Sequence, residues 1–209
     1  MKLDFSNSKR NYILLYPAGT GGELITGGLS NCVPEMNSIE FKEAELNRWF
    51  TSCKITYKDY NGIPVNYLGE NKRHKWDLYK DHYGDKIYNY WDPNMTALCF
   101  DLTKNYQYWS RLCYYKLRQI EAEVKRQGGD FINNHQAAIQ DDHRSINIAT
   151  NYFKNSHIIN IDNLHNSPTE LTEQFKDIFP NLESKKFNKI IKKWIKKNNK
   201  LLITGERNV

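Results

Sequence analysis

One stretch constrains this chain more than any other: Tyr12-Ile-Leu-Leu-Tyr-Pro-Ala-Gly-Thr-Gly-Gly-Glu-Leu-Ile25. Its apolar start reads as a buried strand. Pro17 ends that strand, Ala18-Gly19-Thr20-Gly21-Gly22 forms a loop, and a short helix is expected from Glu23 to about Asn31. Such a unit can build an anion site from backbone alone. Glycines let the main chain come close to a ligand, and the N–H groups of a helix start point toward it. The plain alternative is a tight strand-to-helix turn that holds nothing. The loop is neither a P-loop, which needs a Lys after its glycines where this chain has Glu23, nor a dinucleotide fingerprint, whose third glycine is replaced by Leu24.

The rest of the chain alternates strand and helix. A helix is expected over 39–50. Two β-prone runs flank Asn61-Gly62 within 53–67 and form a hairpin, with Pro64 pushing the second run toward a sheet edge. Residues 69–92 are charged and aromatic and receive no element. Met95–Phe100 reads as a buried strand, followed by a long helix from about 104 to 127 closed by Gly128-Gly129. Asp130–His135 is expected to be a short strand, 142–154 a helix and His157–Asp162 a strand. Ser167, Pro168 and Glu170 form a helix start with a capping box, and that helix runs to about Phe179. A basic amphipathic helix covers 183–200. This order predicts an α/β fold, a parallel sheet with helices on both faces, in a single domain over 1–209 with an insertion at 51–94. Ligands of such sheets sit at the carboxyl ends of the strands, so the loop, His135 and Asp162 are expected on one rim.

Composition narrows the class. Among 209 residues, 13% are aromatic, which excludes a disordered chain although mean hydropathy is only -0.77. The net charge of +6 favours anionic partners. Cys32, Cys53, Cys99 and Cys113 show no C-x-x-C pairing and read as reduced core thiols. No apolar leader and no membrane span are read from the sequence, so a cytoplasmic protein is expected.

The segment Tyr16-Pro17-Ala18-Gly19-Thr20-Gly21-Gly22-Glu23-Leu24 resembles the 5′-phosphosulfate-binding loop of the sulfotransferases, with Ala18-Gly19-Thr20 standing for their Ser-Gly-Thr. Phe131–His135 resembles the strand that ends in that family's catalytic His. His157–Asp162 with the helix after Ser167 resembles its strand-acid-Leu-helix element. The resemblance implies a P-loop-like domain that transfers a sulfuryl group from 3′-phosphoadenosine 5′-phosphosulfate (PAPS) to a hydroxyl or amine acceptor, such as a carbohydrate. Ala18, Gly19, Thr20, Gly21 and Gly22 would hold the phosphosulfate, His135 would be the general base, and Arg144-Ser145 is the nearest candidate for the 3′-phosphate. Pro17 stands where the family has Lys or Arg, and the family's C-terminal glycine-rich basic motif is absent. A diverged kinase-like phosphate binder and a non-catalytic interaction protein of the same fold are the alternatives.

Other clusters are read more plainly. His135, Asp141, Asp142 and His143 match no zinc spacing, so no metal is expected, and Asp142 is taken as the N-cap of the helix after a polar loop. His157 and His165 are read as strand-edge and loop residues. Phe187, Ile190, Ile191, Trp194 and Ile195 form one helical face that docks on the core, with the intervening lysines solvated and nucleic acid not among the expected partners. The aromatic residues of 76–117, including Trp76, Trp91, Tyr106, Tyr108, Trp109, Tyr114 and Tyr115, suit either an acceptor wall or core packing.

Overall fold

A computed structural model describes residues 10–17, 19–34, 65–69, 94–102, 105–118 and 121–204. Among the described residues four strands form one sheet: β1 (Arg10–Leu15), β2 (Val65–Gly69), β3 (Thr96–Asp101) and β4 (Asn155–Asn160), in the order β2-β1-β3-β4. β1, β3 and β4 are parallel. Tyr12 faces Thr96 and Leu15 faces Cys99 between the first two, and Thr96 faces Asn155 and Asp101 faces Asn160 between the last two. β2 runs antiparallel to β1 at one end of the described sheet. The rest of the hairpin, the helix expected over 39–50 and nearly all of the insertion lie outside the described residues.

The helices are α1 (Gly22–Cys32), α2 (Tyr106–Leu117), α3 (Ala122–Gln127), α4 (Gly129–Ala149), α5 (Asn163–Asn166), α6 (Pro168–Ile178) and α7 (Ser184–Thr204), with a 3₁₀ turn at Thr150–Tyr152. Strand side chains alternate between faces, and both faces of β1 and β3 are apolar, as a covered parallel sheet requires. Leu14, Leu98, Phe100 and Ile159 pack with Leu24, Ile25 and Leu29 of α1, Phe175 of α6 and Phe187, Ile191 and Trp194 of α7. Ile13, Leu15, Ala97 and Cys99 pack on the other side with Ile146 and Ala149 of α4 and with Phe153. Cys32, Cys99 and Cys113 are buried; burial pushes the Cys32 thiol up to about 12, so it is inert at neutral pH.

Three expectations change. Asp130–His135 is not a strand but the opening of α4, a continuous helix through Ala149. The expected polar loop with Asp142 as N-cap is therefore absent, and Asp142 sits inside the helix. The reason is periodicity: Ile139, His143, Ile146 and Ala149 are buried at intervals of three and four residues, one helical face. A window of six residues was too short to reveal that spacing. The long helix expected over 104–127 is broken, with α2 closing at Arg118 and α3 at Gly128. Ser167 does precede α6 with Pro168 in the first turn, but its side chain makes no capping hydrogen bond.

No helix among the described residues is long and apolar enough to cross a membrane.

Candidate functional site

Parallel pairing in register places the ends of β1, β3 and β4 on one rim of the sheet. The glycine loop, Asp101 and Asp162 follow from those three ends. In the loop, Gly19 and Gly21 have φ of 78° and 83°, the left-handed region that other residues seldom adopt. Two such residues flanking Thr20 allow the tight turn by which the chain passes from β1 into α1. Gly21 is the N-cap of α1, and the helix closes on it through Ile25 N–H to the Gly21 carbonyl at 3.0 Å. Thr20 is fully buried, and both its hydroxyl (2.7 Å) and its N–H (3.2 Å) donate to the Pro17 carbonyl. The hydroxyl therefore tightens the loop from inside. Ala18 lies outside the described residues.

Gly22 is required for a different reason. A methyl group there would stand 2.2–2.4 Å from the ring atoms Cγ, Cδ2 and Cδ1 of Tyr16, which is buried. Gly22→Ala is expected to destabilise the fold by about 1–3 kcal/mol, the usual range for overpacking a well-filled site. Urea unfolding of the variant measures it, and an unchanged midpoint would show that Tyr16 moves aside freely.

Helices α2 and α4 close over the loop. A methyl on Gly19 would lie 3.1 Å from Cε1 and 3.5 Å from Nε2 of His135, and 3.5 Å from Sγ of Cys113. The His135 ring stacks on Phe131, with centroids 5.5 Å apart and planes 10° apart. Thus His135 reaches the loop, although from a helix and not from a strand end. Trp109 supplies the neighbouring wall, its ring edge 3.7 Å from a methyl placed on Gly21. Trp109 is fully buried and belongs to the core.

Beside this wall is a hydrogen-bonded chain that sequence reasoning missed. His143 Nε2 lies 2.9 Å from Asp101 Oδ1, and His143 Nδ1 lies 2.8 Å from the Tyr106 hydroxyl. A carboxylate only accepts, so in the neutral ring Nε2 carries the hydrogen and Nδ1 accepts from Tyr106. Burial pushes the Tyr106 hydroxyl up, the Asp101 and Asp162 carboxylates push it further, and Arg144 opposes them. Tyr106 thus stays protonated and able to donate. Asp101 could have been found from its place at the end of a buried strand. The chain runs through His143, which bonds Asp101 42 positions away and Tyr106 37 positions away, and has no local signature.

Arg144 and Ser145 lie late in α4. Arg144 is exposed and pairs with Asp141 at 3.1 Å. His165, expected in a loop, is instead in α5, its ring packed against Tyr108, Trp109 and Trp194. Lys116 is buried with Nζ 4.9 Å over the Trp194 ring. Among the described residues no group of three His, Cys, Asp or Glu side chains could hold a metal ion. No protein-family model, no curated protein and no solved structure matches the chain.

Proposed function

We propose that the chain is a diverged sulfotransferase-like transferase of P-loop-like fold. PAPS would lie along the rim with its phosphosulfate against the backbone of residues 18–22. One observation carries this reading: a parallel strand enters a helix through two left-handed glycines, and an imidazole stands 3.1 Å from where a methyl on the first of them would be. That arrangement would set an imidazole, a group able to take a proton, beside a glycine loop able to hold an anion. His135 would take the proton of an acceptor hydroxyl as the sulfuryl group is transferred. Arg144 and Ser145 would meet the 3′-phosphate, Arg144 exchanging its surface pairing with Asp141 for the ligand. Pro17 leaves the loop without its own cation, so charge on the transferred group must be met from elsewhere in the chain.

The burial of Thr20, with its hydroxyl turned to Pro17, favours a second reading: an interaction protein that keeps the fold without the chemistry.

Thermal denaturation with 3′-phosphoadenosine 5′-phosphate, ATP with Mg²⁺, or NAD separates the readings. At ten times its Kd, the sulfonucleotide product should stabilise the protein by about 1.4 kcal/mol. For a chain of this size that raises Tm by about 3–6 °C. His135→Ala should keep this response while lowering transfer by about 10²–10⁴-fold. A response to ATP with Mg²⁺ alone would favour kinase-like chemistry, and no response at millimolar nucleotide would favour the interaction protein.

A further inference from the structure

We propose that the outer face of α7 docks on the phosphate backbone of a nucleic acid duplex. The helix is 21 residues long and holds eight lysines and no acidic residue. Since the whole chain carries +6, the remainder is net −2, so the attraction is local to this helix. Phe187, Ile191 and Trp194 are buried in the core, whereas Lys185, Lys189, Lys192 and Lys196 are exposed. These four recur at intervals of four, three and four residues and so form one stripe. At a rise of about 1.5 Å per residue the stripe is about 16 Å long. None of the four takes part in an ion pair among the described residues. Lys186, on the neighbouring row, is engaged with Glu183 at 3.7 Å and the Asn31 carbonyl at 2.7 Å.

What the helix lacks selects the partner. Insertion into a bilayer needs an apolar helical face, and over 187–195 that face of α7 is spent on the core. Single strands are gripped largely by stacking bases on aromatic side chains, and the exposed positions of 185–197 carry no aromatic residue. A linear array of mobile ammonium groups matches duplex DNA, which carries one charge per about 1.7 Å of axis and is held by lysines without regard to sequence.

The test is fluorescence anisotropy with a labelled 20-base-pair duplex of arbitrary sequence, from 50 to 200 mM NaCl. Four phosphate contacts predict a slope of log K against log salt near −3.6, about a 150-fold loss over that range. The combined variant Lys185→Gln, Lys189→Gln, Lys192→Gln, Lys196→Gln should abolish the slope, with native melting as its control. Should that variant melt early, the wild-type slope and the pair Lys192→Gln, Lys196→Gln, which should halve it, carry the test. The proposal is overturned if the wild type does not bind duplex at 50 mM NaCl or if the folded variant binds equally. It is also overturned if a single strand, vesicles containing about 30% anionic lipid or polyglutamate bind as tightly as the duplex. None of these outcomes depends on nucleotide binding at the loop.

Discussion

Replacing Trp109 with alanine should lower the unfolding free energy by about 3–5 kcal/mol, the cost of deleting a buried indole whose surroundings cannot close on the gap. Trp109 is fully buried and among the largest enclosed side chains. Its ring lies 6.1 Å from Trp194, 5.3 Å from His165 and 5.6 Å from Tyr108, centroid to centroid. The gap would therefore be walled by aromatic rings from α2, α5 and α7, which are too stiff to fill it. The same ring lines the glycine loop at Gly21, so the variant should also lose any nucleotide response of that loop. Trp109→Phe separates packing from polarity. The indole Nε1 finds no hydrogen-bond partner among the described residues, so phenylalanine forfeits volume alone and should cost less than half as much. Urea unfolding measures both. A loss under about 1 kcal/mol for alanine would mean that α7 and α2 collapse together, and that Trp109 does not prop the loop.

The elements that announced themselves were those whose pattern is complete within a few residues. β1 and β3 are continuous apolar runs because both faces of a parallel strand are covered, and the turn between β1 and α1 is marked by its glycines. α7 was legible because its apolar residues repeat on one face. Of α4 only the end was legible, within the helix expected over 142–154, because its opening turns are polar and half exposed and its buried face holds a histidine where a regular helix would show an aliphatic residue. His143 occupies that position because Asp101 and Tyr106 satisfy both its nitrogens. For the candidate site, the glycine turn could be read from sequence, whereas His135 was expected at a strand end and lies on a helix. A strand end and one face of a helix both bring a side chain to a sheet rim, and a single short run does not distinguish them. The Asp101–His143–Tyr106 chain depends on how β3, α2 and α4 meet, which no local window contains.

His165 should make the protein lose about 3 kcal/mol of stability between pH 6.5 and pH 4, beyond what the carboxylates contribute. Burial lowers its pKa from 6.5 to about 4; the Asp162 carboxylate opposes this shift and Lys116 adds to it. The ring is enclosed by Tyr108, Trp109 and Trp194, with centroids at 4.2, 5.3 and 5.4 Å. Nδ1 meets the Tyr108 hydroxyl at 3.1 Å, and Nε2 has no hydrogen-bond partner among the described residues. The folded state thus holds the neutral ring. Above pH 6.5 the unfolded chain is neutral at this position too, and folding is not penalised. Below pH 6.5 the unfolded chain takes up a proton that the folded protein refuses until about pH 4, so stability falls as the pH is lowered through this window. His165→Phe keeps a ring of similar size in the aromatic cluster and removes the titration. Urea unfolding of wild type and variant at half-unit steps from pH 7.5 to pH 4 should give curves that converge or cross as the pH falls, their difference changing by about 3 kcal/mol. A constant difference would place an acceptor or solvent at Nε2 and contradict the enclosure of the ring by Trp109 and Trp194. Because Trp109 also lines the glycine loop and Trp194 seats α7, acid loosening should begin at the junction of α2, α5 and α7 and reach the loop through Trp109.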